Sequence, residues 1–352
     1  MTKLALKTTT GISLCICVCL IQSALGGEKE GGSAVEAKNL ANLRQVTHGL
    51  PRAGEGYFST DGSEIVYQAY PVGYPFYQIY TQKLDEQIPR RISPGRGRTT
   101  CAYFTRDGEH ILFASAHTDP EIDTSERDAR ALAAQGGRRR YEWVFDSHMD
   151  IYVCRHDGTD MQRLTDSPGY DAEGSYSFDG KQIVFTSTRD GDADLYIMNA
   201  DGSEVRQLTD VPGYDGGPFF SPDDKWVIFR SDRQEEHMLQ IYAISVDGQH
   251  EVQLTDNLKT VNWAPFFHPS GDYIIWTRAD YSRGPAPFNL FTMEINSTNT
   301  SFKGGKVTQV TDHEAADVLP VFSPDGKKLM WTSSRGEDGT SQLWIADWLR
   351  EK

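Results

Sequence analysis

The sequence predicts an all-β fold: a six-bladed β-propeller of four-stranded antiparallel blades, closed by an N-terminal strand. Three observations carry this. A strand–turn–strand pattern occurs six times, an apolar–aromatic pair follows each copy, and a Leu-Thr-like ending follows five of them. Four strands repeated every 40–50 residues or so are the mark of a propeller.

The turns come first. Asp61-Gly62, Asp107-Gly108, Asp179-Gly180 and Asp325-Gly326 are Asp-Gly pairs, and Asp223-Asp224 and Ser270-Gly271 are degenerate versions. An aromatic residue precedes each turn by three positions: Phe58, Phe104, Tyr176, Phe220, Phe267 and Phe322. Another follows each turn: Tyr67, Phe113, Phe185, Phe229, Trp276 and Trp331. Two β-prone runs around a turn that tolerates positive φ make a hairpin. The pairs Ile79-Tyr80, Ile151-Tyr152, Leu195-Tyr196, Ile241-Tyr242, Leu290-Phe291 and Leu343-Trp344 read as third strands.

Fourth strands end in Ile92-Ser93, Leu164-Thr165, Leu208-Thr209, Leu254-Thr255 and Val310-Thr311. The sixth ending lies at the other end of the propeller, in Arg44-Gln45-Val46-Thr47. An N-terminal strand that completes the last blade removes the free sheet edges that invite aggregation.

The remaining segments divide as follows. Residues 1–26 read as a secretory signal: Lys3 and Lys7, an apolar stretch from Gly11 to Ile21, then small residues around Ala24-Leu25-Gly26. Residues 27–42 carry no periodicity and read as a flexible linker, so the propeller is expected over 43–352. An insert at about 117–149 lengthens blade two. Asp123-Thr124-Ser125-Glu126 resembles a capping box before an Ala-rich run, which predicts a short helix. Cys101 and Cys154 fall on the first and third strands of one blade, roughly 9–10 Å apart, so no disulfide is expected.

Composition excludes some partners. A formal charge of −15 argues against nucleic acid, which requires clustered Lys and Arg. Once the signal is removed, no integral membrane segment is expected. A monomer is expected.

Strand direction alternates within a blade. The Asp-Gly turns therefore share one face, and the loops between strands two and three and between blades share the other. The second face is richer in chemistry. It gathers Asp171, Glu173, Asp215, Trp263 and Asp317 from the blade-to-blade loops, and His117, Arg189, Arg233 and Arg335 from the loops within blades. The insert adds His148, Asp150 and Trp143. These residues form a candidate binding mouth, with two readings. Arg and Asp can pair between neighbouring blades as a structural clamp, or Arg forks and exposed Trp rings can receive a ligand or peptide. His117, His148, Asp171 and Glu173 offer a weak cation set, with Ca²⁺ at an acidic loop the plainest form. No catalytic residue, resident metal or cofactor is assigned.

The run Tyr176-Ser177-Phe178-Asp179-Gly180-Lys181-Gln182-Ile183-Val184-Phe185, with Phe322-Ser323-Pro324-Asp325-Gly326-Lys327-Lys328-Leu329 and Gln207-Leu208-Thr209, resembles the propeller repeats of the TolB family. The resemblance covers the propeller and not the α/β domain that precedes it in TolB. It implies a stand-alone, exported, periplasmic or secreted module that binds or scaffolds an envelope protein or peptide, or a carbohydrate. The alternative is a metal-dependent carbohydrate-active enzyme of the oligogalacturonate-lyase type, which holds its metal through clustered His. Here His237, His268 and His313 are scattered along the chain.

Overall fold

A computed structural model describes residues 33–134 and 145–350. The signal segment, the start of the linker and Trp143 lie outside the described residues. Six four-stranded antiparallel sheets follow one another around a channel. The first strand of each blade is innermost: Arg52–Phe58, Thr99–Phe104, Asp171–Tyr176, Asp215–Phe220, Thr260–Phe267 and Asp317–Phe322.

Each element of the repeated signature has a structural cause. The aromatic before the turn ends the inner strand and is buried in every blade. The aromatics of strands two and three lie directly opposite one another: Tyr67 and Tyr80, Phe113 and Tyr152, Phe185 and Tyr196, Phe229 and Tyr242, Trp276 and Phe291, Trp331 and Trp344. Cross-strand aromatic pairs of this kind each stabilise a sheet by roughly 0.2–1 kcal/mol. At the turns, Ser59, Ser177, Ser221 and Ser323 donate their hydroxyls to Asp61, Asp179, Asp223 and Asp325. The next position takes φ near +70° as Gly62, Gly180 and Gly326, and Asp224 accepts the same role at φ 57°. Asp224 has a second use: its carboxylate accepts the backbone N–H groups of Phe178 and Asp179 and ties the turns of blades three and four together.

Three of the outer strands are very short. Arg90–Arg91, Gln162–Arg163 and Arg206–Gln207 pair over only two residues. The Leu-Thr endings lie just beyond the short outer strands, where their hydroxyls turn back to the third strand. Ser93, Thr165, Thr209, Thr255 and Thr311 accept the N–H of Ile79, Ile151, Leu195, Ile241 and Leu290, at 2.8–3.0 Å.

The ring closes through strand Leu40–Gln45, which pairs with Gln342–Trp348. This corrects the linker boundary: Glu36–Lys38 forms a 3-10 turn and the closing strand starts at Leu40, so residues 36–42 are part of the fold. Glu36 is buried against Arg335, at 2.9 Å.

The insert forms the only α-helix among the described residues, Ile122–Ala134. Asp119 lies just before it, its carboxylate accepting the N–H of Glu121, and Asp123 of the expected capping box falls inside the helix. Asp123 instead pairs with Arg96 at 2.7 Å. Glu126 accepts the Tyr74 hydroxyl at 2.6 Å and the Gly97 N–H, which holds the helix against blade one. Cys101 and Cys154 are buried and unpaired, on the first and third strands of blade two. No helix among the described residues is long and apolar enough to cross a membrane.

Candidate functional site: the channel and its mouth

The inner strands run from the blade-to-blade loops toward the Asp-Gly turns, and each one carries a β-bulge halfway along. The bulged residue takes a left-handed conformation in every blade: Glu55 (φ 48°), Cys101 (φ 54°), Glu173 (φ 57°), Gly217 (φ 59°), Ala264 (φ 52°) and Leu319 (φ 56°). A bulge re-aims a side chain and sharpens the strand twist. Because Ala264 and Leu319 share the conformation, the backbone strain belongs to the architecture and marks no single residue as functional. It does place six side-chain positions in one ring around the channel waist, three consecutive ones being Glu55, Cys101 and Glu173.

Below this ring, toward the turns, aromatic side chains close the channel. Tyr57 meets Tyr103 at 5.1 Å between ring centroids and Phe219 at 5.7 Å, and Phe219 meets Phe266 at 5.0 Å. The void above them is about 30 Å³, lined by Glu55, Cys101, Glu173, Arg230, Ala264 and Leu319 among others. That is room for a small headgroup or a water or two.

The two glutamates differ sharply. Glu173 is buried and saturated: it accepts from Thr186 Oγ1 at 3.1 Å, the Tyr214 hydroxyl at 2.9 Å, the Gly217 N–H, and Arg230 Nη2 at 3.1 Å. Arg230 reaches it by passing over Gly217, where a Cβ would lie 2.2 Å from the guanidinium. Glu55 is half-buried, and among the described residues its side-chain hydrogen-bond partner is the Cys101 thiol. Burial, and then the neighbouring Glu173 charge, push the Glu55 carboxyl up to about 7, against the pull of Arg230. Burial also raises the Cys101 thiol well above its ordinary value, so it is no nucleophile at neutral pH.

Most of the residues assigned to the mouth from sequence are engaged with one another. Arg189 pairs with Asp171 at 3.1 Å, Arg233 with Asp215 at 2.5 Å, and Arg335 with Asp317 at 2.6 Å. Each pair lies within one blade, from the start of the inner strand to the end of the second, and not between neighbouring blades. Each guanidinium also contacts the hydroxyl of Ser187, Ser231 or Ser333 and lies over the blade's aromatic pair. In blade two His117 takes the Arg position, bound to Ser115 at 2.8 Å and packed on Tyr152. Burial, then Arg96 and Arg163, hold its pKa below the ordinary value.

The cation set read from the sequence is not assembled. His148 faces Asp119 at 3.5 Å, while His117, Asp171 and Glu173 are held by the partners already described. Asp150 is buried beside Arg163 at 2.6 Å, and burial pushes its carboxyl up to about 6. Among the described residues, the trios of His, Cys or carboxylate groups within 4.8 Å of one another are Asp107, Glu109 and His110, and Asp190, Asp192 and Asp194. His237, His268 and His313 belong to neither. His268 sits at its turn, against Ser270 and the Gly326 carbonyl.

On the mouth side of the waist, Trp263 is half-buried rather than exposed. It packs on Phe288 at 5.9 Å and under Arg230. Exposed Phe145 contacts Tyr170 and Tyr214. Sequence reasoning missed Glu55, Tyr214, Arg230 and Phe145. The signal for Glu55 was present, since it is three residues before Phe58 and aligns with Glu173 before Tyr176.

Comparison with known proteins agrees with this architecture. The family described as the Tricorn protease N-terminal beta propeller domain matches residues 139–284. A TolB homolog of Chlorobium luteolum is 26% identical over 168 residues, covering 43% of this chain and 38% of its own length. The chain spans well under two thirds of the length of the curated TolB relatives that it matches. Among solved structures, a TolB from Agrobacterium tumefaciens superposes with a TM-score of 0.56 at 19% identity, covering 87% of this chain and 94% of that one. Oligogalacturonate lyase from Vibrio parahaemolyticus superposes with a TM-score of 0.53 at 12% identity, covering 87% and 93%. The chain is thus a TolB-like six-bladed propeller, and at these identities the structural likenesses speak for the fold.

Proposed function

We propose that this propeller is an exported, periplasmic or secreted binding module that receives a protein or peptide partner at the mouth formed by its blade-to-blade loops. One observation carries the reading: the mouth leads to a blind, mixed-charge waist rimmed by aromatic side chains. Phe145, Tyr214 and Trp263 offer rigid apolar anchors of the kind that dominate binding energy. Glu55 and Arg230 supply charge below them. The envelope setting rests on the likeness to TolB, whose curated relatives are described as Tol-Pal system proteins.

Catalysis is the weaker reading. Among the described residues of the waist, burial raises the Cys101 thiol that meets Glu55, and Glu173 and Arg230 pair with each other. The histidines of the lyase alternative do not converge. The test is an affinity capture from envelope extract with the wild-type protein and with a Phe145→Asp/Trp263→Ala double variant. A partner retained by the first and lost by the second supports the mouth. Equal retention by both, with both folded, overturns it.

A further inference from the structure

The waist has a specific chemistry that the mouth reading does not use. Its two carboxylates face one guanidinium, and that guanidinium is committed to Glu173. Glu55 feels that guanidinium at a distance, and its side-chain hydrogen-bond partner is the Cys101 thiol. The walls are divided. Blades one to three contribute Glu55, Cys101 and Glu173, while blades five and six contribute Ala264, Pro265, Leu319, Pro320 and Val321. The floor is made of the Tyr57, Phe219 and Phe266 rings.

We propose that the waist is a receptor for a primary ammonium group, with Glu55 as its counter-ion, delivered through the mouth by the bound partner. This rests on the partner-binding reading above. A carboxylate beside aromatic rings and an apolar wall suits an alkylammonium. Its charge meets Glu55, its hydrogens meet the π faces, and its methylene stem runs along the wall. A hard divalent ion is served poorly, because it needs several oxygens and those of Glu173 already accept four donors. The void of about 30 Å³ admits a headgroup and not a sugar ring. The groups facing Glu55 are Glu173, Arg230, Cys101, Tyr57 and Tyr77. Binding therefore follows the ionisation of Glu55 and strengthens as pH rises through about 7.

The experiment titrates the full protein with n-butylammonium chloride, n-butanol and calcium chloride by calorimetry at pH 8 and pH 5.5. Expected are saturable one-to-one binding of butylammonium at pH 8, a loss of about 10- to 30-fold at pH 5.5, and no binding of butanol. Glu55→Gln should weaken butylammonium by about tenfold or more. Should that variant not fold, the pH comparison on the wild type decides. Acetyl-lysine amide and alanyl-alanine amide then separate a lysine side chain from a chain N-terminus, and the proposal requires one of them to bind. Unchanged affinity in a folded Glu55→Gln, equal affinity at both pH values, binding of butanol, or binding of calcium in place of butylammonium overturns it. If it fails while the Phe145→Asp/Trp263→Ala variant still loses its captured partner, the mouth reading stands and only the ammonium chemistry falls.

Discussion

Thr47 Oγ1 accepts the backbone N–H of Leu343 at 2.9 Å, across 296 residues of chain, and donates to Gln342 Oε1 at 2.8 Å. This is the same contact that Ser93, Thr165, Thr209, Thr255 and Thr311 make within their own blades. In blade six the N-terminal segment supplies it, so a bond that is local elsewhere becomes the latch of the ring.

Thr47→Ala should therefore cost about 1–3 kcal/mol, because it leaves a buried N–H without its acceptor. Thr47→Ser, which keeps the oxygen, should stay close to wild type. Deleting residues 43–48 removes the latch with half of the closing strand and should lower the melting temperature much further. Thermal and urea denaturation of the three variants checks this, and an unchanged melting point for the deletion would refute closure.

The Arg–Asp clamps give a second prediction. Asp215 is buried and Arg233 largely so, and Glu251 also holds Arg233 at 2.6 Å. Arg233→Ala strands a carboxylate that burial already pushes up, so a loss of about 3–5 kcal/mol is expected. Arg233→Ala combined with Asp215→Asn should recover part of that loss. Denaturant unfolding of the single and double variants measures the coupling.

Gly217 separates backbone strain from side-chain collision. Ala264 occupies the equivalent bulge with a Cβ at a similar φ. Gly217→Ala should thus be harmful chiefly because its Cβ displaces Arg230 from Glu173. The expected cost is about 1–3 kcal/mol, larger than that of Ala264→Gly. Comparing the unfolding free energies of the two variants tests this order.

Stability should fall as pH rises from about 4 to 7. Burial, and then the charges of Asp190, Asp192 and Asp215, push Asp194 up to about 7, and burial pushes Asp150 up to about 6. A carboxyl with a folded-state pKa above its unfolded value contributes stability below the unfolded pKa, and that contribution is lost as pH rises through the folded one. Asp194→Asn should flatten this slope and raise stability at pH 8, by on the order of 1–3 kcal/mol. Melting temperatures across pH 4–8 provide the measurement.

Thiol counting tests the exported form. The sequence has five cysteines, with Cys15, Cys17 and Cys19 in the signal segment. Mature protein should show two thiols on unfolding, slow to react when folded because both are buried. Five thiols would mean that the segment is retained. Reductant should leave the melting temperature unchanged.

The repeat determined the blade number, the strand order and the closure, because each relies on local chemistry: a Ser–Asp turn, a pair of opposed aromatics and a hydroxyl that reaches back fourteen residues, from Thr209 to Leu195 for instance. Such contacts recur at fixed spacing and leave a periodic trace. Only the tertiary structure decided which mouth residues are free. Whether Arg189 meets a ligand or Asp171 depends on side-chain direction within a blade, and spacing does not encode that. Glu55 and Glu173 occupy the same position of the repeat, yet one is saturated and the other open. The difference comes from Arg230 and Tyr214, which reach Glu173 from the neighbouring blade, and from Gly217, whose missing side chain lets the guanidinium through.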